Sequence, residues 1–214
     1  MLFVIGEQNS VANQFLLELR DQHWQTDRSR FRNNLERLGK IMAYEISKHL
    51  HYIPQETITP LGRSVISVLE RQPVLISILR AGLSYFTGFQ NFFDQADSGF
   101  IGAYRQEGED ELVIKLDYLA TPPIDGKDVI LIDPMLATGH SAMEALNALL
   151  KKGTPRNVFF ASLVSAPEGI AHITREMKIL HSIFTFAVDE KLNNQFYIVP
   201  GLGDAGDLSF GKKM

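Results

Sequence analysis

The sequence predicts an α/β protein with a central, mostly parallel sheet flanked by helices. Three observations predict it. Residues 73–79, 129–132 and 157–166 are apolar runs without polar alternation, the pattern of strands buried on both faces. Segments 28–49, 83–93 and 142–150 place apolar residues at helical spacing between and around those runs. Strand and helix patterns therefore alternate along the chain, as βα units of a parallel sheet do.

Composition sets the outer bounds. The 214 residues suffice for one domain with a substantial core, here taken as 1–214, and they are 45% hydrophobic and 21% charged. A net charge of −4 and a pI near 5.9 give no global pull toward nucleic acid or an anionic membrane. The lack of cysteine excludes disulfides, thiolate nucleophiles and thiolate metal sites. MLFVIGEQNS is apolar but short, lacks a basic start and carries Glu7, so it does not read as a signal peptide, and a cytoplasmic location is expected.

In chain order, Leu2–Ile5 reads as a short edge strand and 11–20 as a helix with Phe15, Leu16 and Leu19 on one face. The polar stretch 21–30 reads as a loop. A long helix over 28–49 follows, aligning Phe31, Leu35, Leu38, Ile41, Met42 and Ile46, with Glu45 on or beside the stripe and Pro54 barring continuation. Together 10–50 makes an amino-terminal helical segment. Strand 73–79 runs into Arg80, Ala81 and Gly82. Helix 83–93 carries Phe86, Phe89, Phe92 and Phe93, suited to the core or a subunit contact. FIGAYR and ELVIKLDY, joined by QEGED, read as a β-hairpin arm over 99–118, projecting from the main sheet with Arg105 and Glu107 near its tip. Thr121-Pro-Pro is an extended linker. The strand at 129–132 ends at Asp133 and turns through Pro134, Thr138, Gly139, His140 and Ser141 into a helix that stops at Gly153. Strand 157–166, a Pro167-Glu168-Gly169 turn, a helix near 168–177 and a strand ending in Asp189 and Glu190 come next. The tail 197–211 holds a small apolar strand and four glycines, a proline and two aspartates.

A tight corner between a buried strand and a helix start aims several backbone N–H groups at one point, beside the positive end of the helix dipole, which suits phosphate. The 133–141 corner has no lysine, so it is not a G-x-x-x-x-G-K-[ST] loop, and no G-x-G-x-x-G fingerprint is present. Arg80 and Asp133 stand at strand carboxyl ends, where open α/β sheets carry ligands. The glycine-rich tail permits close backbone approach, and Asp204 and Asp207 could hold a sugar or a metal-bound water. Physics alone thus points to a phosphorylated sugar or nucleotide, with the reaction open.

ILRAGL (78–83), IGAYRQE (101–107), IDPMLATGHSA (132–142), APEGI (166–170) and YIVPGLGDAGD (197–207) together resemble the uracil phosphoribosyltransferase family, in register from about Phe31 to Gly211. The resemblance implies a phosphoribosyltransferase-like sheet, with the hairpin arm at 99–118 and a carboxyl-terminal base-binding hood at about 190–211. It implies a pentosyltransferase that converts uracil and 5-phospho-α-D-ribose 1-diphosphate (PRPP) to UMP and diphosphate in pyrimidine salvage. Arg80 and Arg105 match arginines on the pyrophosphate. Asp133, Pro134, Met135, Leu136, Ala137, Thr138, Gly139, His140 and Ser141 match the loop on the ribose and its 5′-phosphate. Ile198, Gly203 and Ala205 match positions whose backbone reads uracil, and Asp204 a residue near the ribose, the base and a metal-bound water. Asp204 and Arg105 are the implied catalytic residues. Mg²⁺ is implied, held mainly through PRPP and water with no protein metal ligand. GTP as an effector and a homodimer or higher homo-oligomer are also implied, with no nucleic-acid or membrane partner. The chain departs from the family pattern at His140 (usually a second glycine), Leu208 (usually Arg), Lys212 (usually Thr) and Gln106 (usually acidic). A PRPP- or nucleotide-sensing regulator on the same fold is the alternative.

Overall fold

The computed structural model describes residues 1–105 and 114–213, with backbone alone at 103–105 and 114–116. The elements in order are β1 (Leu2–Val4), α1 (Val11–Arg20), α2 (Arg28–Ser47), β2 (Tyr52–Thr59), β3 (Gly62–Leu69), β4 (Val74–Leu79) and α3 (Gly82–Gln90). They continue with β5 (Ser98–Arg105), β6 (Ile114–Ala120), β7 (Asp128–Ile132), β8 (Met135–Leu136), α4 (His140–Leu150), β9 (Asn157–Ala161), β10 (Val164–Ser165) and α5 (Pro167–Glu176). β11 (His181–Thr185), β12 (Ala187–Val188), β13 (Lys191–Leu192), β14 (Ile198–Val199) and α6 (Ala205–Phe210) complete the chain.

Among the described residues the main sheet has seven strands in the order β1-β11-β9-β7-β4-β5-β6. Every neighbouring pair is parallel except β5 with β6. Side chains alternate across a strand, and β7 shows it. Ile130 and Ile132 pack with Leu35, Leu38, Met42, Phe86 and Phe89 from α2 and α3. Val129 and Leu131 pack with Met143, Leu146 and Leu149 of α4 and Ile173 of α5. Both faces are covered, which is why the strand is apolar throughout. The helix starts are marked locally: Ser10 Oγ accepts from Ala12 N at 3.3 Å, and Asp27 Oδ1 accepts from Ser29 N and Arg30 N at 3.0 Å each. Pro167 opens α5. No described helix is long and apolar enough to cross a membrane.

Several expectations change. The 99–118 element does not merely project from the main sheet. Its first strand is built into it, with β5 pairing β4 from Leu75↔Ser98 to Leu79↔Gly102. The turn QEGED, with Gln106 and Glu107, lies outside the described residues, as does the Arg105 side chain. The run 157–166 is two strands: β9 ends at Ala161, and β10 joins β8 and β12 in a separate three-stranded sheet. The run before Asp189 breaks in the same way, between β11 and β12. Glu45, at the edge of the α2 stripe, pairs with Lys48 at 2.8 Å. Phe86, Phe89 and Phe93 are core residues, whereas Phe92 is exposed.

The antiparallel hairpin β2–β3, paired from Tyr52↔Leu69 to Thr59↔Gly62, was not anticipated. It forms a sheet of its own. Ile58 is 82% exposed, Leu61 99% and Val65 67%, so this chain does not bury its apolar side chains.

Candidate functional site

The site is assembled at the carboxyl ends of β4 and β7. Asp133 follows β7; its N–H donates to Ala161 O at 3.1 Å, and its Oδ1 accepts from Met135 N at 3.3 Å. The corner is more structured than a simple turn, because β8 lies within it and pairs with β10 at Met135↔Val164 and Leu136↔Ser165. Leu163 N donates to Pro134 O and Ala166 N to Leu136 O, both at 2.9 Å. The corner ends at Gly139, whose φ of 80° is the left-handed conformation that glycine accepts without strain. Gly139, the residue before α4, offers no side chain to the first-turn amides of that helix. Thr138 Oγ1 accepts from His140 N at 3.3 Å.

Helix α5 backs this corner closely. A Cβ on Gly169 would overlap Ala137 O and stand 3.0 Å from Leu136 O. A Cβ on Gly139 would stand 3.0 Å from Gly169 O and 3.2 Å from His172 Cδ2. The APEGI segment is thus a buttress whose glycine permits backbone-to-backbone contact with the corner.

The segment Arg80–Gly82 bridges that corner to the tail. A Cβ on Gly82 would lie 2.8 Å from Ile132 O and 2.6 Å from the buried Ser77 Oγ. On the other side, Arg80 Nη2 donates to Asp207 Oδ1 at 2.8 Å and to Gly211 O at 3.3 Å. Gly206 faces Ala81, with its Cβ position 3.9 Å from Ala81 N. The Leu79–Arg80 and Val199–Pro200 peptides are cis.

The tail is folded. β13 and β14 pair at Lys191↔Val199 and Leu192↔Ile198. Gly201 and Gly203 have φ of 60° and 87°. Ile198 and Ala205 are buried, and Gly203 is exposed. Asp204 Oδ1 caps α6 by accepting from Asp207 N at 2.9 Å, and its Oδ2 lies 3.9 Å from Lys213 Nζ. The two tail aspartates therefore have protein partners: Asp204 caps a helix and Asp207 holds Arg80. Leu208 packs against the core beside Gly203, whereas Lys212 is exposed.

Sequence reasoning did not single out Arg20. It reaches from α1 to Asp189 with two hydrogen bonds of 2.8 Å, and its Nη1 also donates to Gly201 O at 3.2 Å. Asp189, only 9% exposed, in turn accepts from Gly201 N at 2.8 Å. One bidentate ion pair thus holds both backbone polar groups of Gly201, in the middle of the tail signature. Nothing in local periodicity joins residues 169 positions apart. His172 was also missed. Its pKa is pushed down by burial first, then by the neighbouring His140 and Arg175.

Comparison with known proteins places this arrangement. The family model described as uracil phosphoribosyltransferase matches residues 7–212. A protein of Porphyromonas gingivalis named uracil phosphoribosyltransferase is 43% identical over 212 residues, covering 98% of each chain. One of the same name from Pyrococcus furiosus is 35% identical over 209 residues, 96% of this chain and 88% of that one. The solved structure of an Aquifex aeolicus protein superposes with a TM-score of 0.87 at 32% identity, covering 99% of this chain and 98% of that chain.

Proposed function

The chain belongs to the uracil phosphoribosyltransferase family, and we propose that it transfers the phosphoribosyl group of PRPP to uracil, giving UMP and diphosphate. The observation that carries this reading is the Arg80–Gly82 bridge, which touches the end of β7 on one side and Asp207 on the other. It joins a phosphate-suited corner to a base-suited tail.

In this reading the α4 amides and the hydroxyls of Thr138 and Ser141 cradle the 5′-phosphate, and Asp133 accepts from the ribose hydroxyls. Arg80 and Arg105 meet the pyrophosphate, for which planar guanidinium groups are better matched than lysine. Uracil presents acceptor, donor, acceptor along O2, N3–H and O4, and the backbone around Ile198, Gly203 and Ala205 mirrors that pattern. The bond from C1′ to pyrophosphate oxygen breaks, N1 of uracil bonds to C1′, and the N1 proton is lost. The protein aligns the reactants and stabilises the departing anion.

Asp204, half-buried with Oδ2 3.9 Å from Lys213 Nζ, is the tail carboxylate suited to a metal-bound water. Mg²⁺ would be bound through PRPP and water, with Asp204 accepting from a metal-bound water. When bound it supplies neutralising charge to the diphosphate.

The regulator reading is not favoured, given relatives named as the enzyme over nearly the whole chain. UMP formation from uracil, PRPP and Mg²⁺, with and without GTP, tests the proposal; no UMP under either condition overturns it. Asp133→Asn should lower kcat/KM for PRPP about tenfold, since a hydrogen bond to a charged group contributes roughly 1.5–3 kcal/mol. Steady-state kinetics at varied PRPP would show this.

The proposed assembly is a homodimer or higher homo-oligomer, with β2–β3 as its contact. An isolated hairpin is marginal in water, and an exposed apolar patch marks a partner surface. The occupant proposed is a second copy of this chain. Sedimentation velocity should give at least twice the 24.1 kDa of one chain, and Ile58→Glu should lower the value toward that mass.

A further inference from the structure

Strand β4 carries one polar residue in an otherwise apolar run, Ser77 in VLISIL. Its register partners are Ile132 of β7 and Phe100 of β5, so it lies inside the main sheet, and it is wholly buried. Alternation puts Ser77 on the face of Leu75, which packs with α2 and α3. The Gly82 Cβ position stands 2.6 Å from Ser77 Oγ, so that hydroxyl lies directly beneath the first residue of α3. Other hydroxyls of the interior are paired: Ser162 with Ser165 at 2.8 Å, and Ser165 with Thr185 at 3.0 Å. Ser77 Oγ, like Ser209 Oγ in α6, is sealed from solvent with no hydrogen-bond partner among the described residues. Above it, Ala81 offers no side chain to the first-turn amides of α3. A sealed acceptor thus lies under a helix start, close to the Gly82 N–H, which is attached to the same Cα as the Cβ position. Arg80 meanwhile ties this bridge to the tail, at Asp207 and Gly211.

We propose that Ser77 is a positioning residue for the diphosphate: once Arg80 is engaged by diphosphate instead of the tail, the Arg80–Gly82 bridge settles toward the sheet and Gly82 N–H donates to Ser77 Oγ. This rests on the placement of the diphosphate at Arg80 given under the proposed function. The hydroxyl then acts with opposite sign in the two states. In the free chain it is a buried polar group left unpaired, which destabilises, whereas an apolar group of like shape does not. In the complex it contributes a hydrogen bond that fixes the bridge. Alanine at 77 should therefore spare the fold and weaken the complex, a combination that a serine serving only to fill space would not give.

The test is calorimetric titration of the full chain with magnesium diphosphate, beside thermal melts without ligand, for wild type, Ser77→Ala and Ser77→Cys. Ser77→Ala should melt no lower than wild type and bind diphosphate about fivefold more weakly, the size of one neutral hydrogen bond. Ser77→Cys fills the space with a group that hydrogen-bonds only weakly, so it should bind diphosphate as Ser77→Ala does. In steady-state kinetics KM for PRPP should rise in both variants, with KM for uracil unchanged. The role of Ser77 is overturned if Ser77→Ala melts below wild type, if it binds diphosphate as wild type does, if Ser77→Cys restores wild-type affinity, if KM for uracil rises as much as KM for PRPP, or if wild type does not bind diphosphate. UMP formation is scored separately. Its absence alongside diphosphate binding that Ser77→Ala weakens would overturn the transferase reading and leave the role of Ser77 standing.

Discussion

Gly169→Ala should lower kcat/KM for PRPP about a hundredfold while leaving most of the fold's stability in place. The added methyl would overlap Ala137 O, a backbone atom of the corner between β7 and α4, and stand 3.0 Å from Leu136 O. Neither atom belongs to a flexible side chain that can swing aside. The corner itself must shift, and its freedom is small because Pro134 O and Leu136 O are already bonded to Leu163 and Ala166. A displacement of about 1 Å in a positioning element costs on the order of a hundredfold in rate. Steady-state kinetics with PRPP varied, alongside a thermal melt, would show the effect. A variant with wild-type kcat/KM would mean that the corner yields freely or does not bind the phosphate.

Arg20→Met should be the most destabilising single change among those considered. It strips Asp189, whose side chain is only 6% exposed, of its cationic partner and leaves a buried carboxylate uncompensated. Breaking a buried pair from one side costs about 3 kcal/mol or more. For a chain of this size that lowers Tm by roughly 6–12 °C. Gly201 loses the Arg20 contact to its carbonyl, so KM for uracil should rise with kcat changing less. A thermal melt, with uracil kinetics on the folded variant, separates the two effects. A Tm within about 2 °C of wild type would show that Asp189 finds water or another donor.

How much the chain disclosed before its structure follows the range of the forces involved. The strands at 74–79 and 128–132 were legible because burial on both faces leaves an unbroken apolar run, and that needs no knowledge of the partner. The corner between β7 and α4 was legible as a strand-to-helix turn because its pattern is local: a strand end, small residues and a helix start within fourteen positions. The split at Ser162 was not, because 157–166 is uniformly buried and only pairing partners reveal that β9 and β10 belong to different sheets. The hairpin β2–β3 escaped because its apolar residues are exposed, so they follow neither a core stripe nor a clean alternation. The Arg20–Asp189 clamp escaped for another reason. An arginine at a helix end and an aspartate after a strand are each ordinary, and only the fold makes them a pair.

Arg80 has a carboxylate in hand before any diphosphate arrives. On the placement proposed for the diphosphate, an incoming polyanion would exchange places with Asp207 instead of filling a bare cationic slot. Fewer small counterions are then expelled on its entry, so the grip on PRPP should slacken with added salt less steeply than a tally of arginines would suggest.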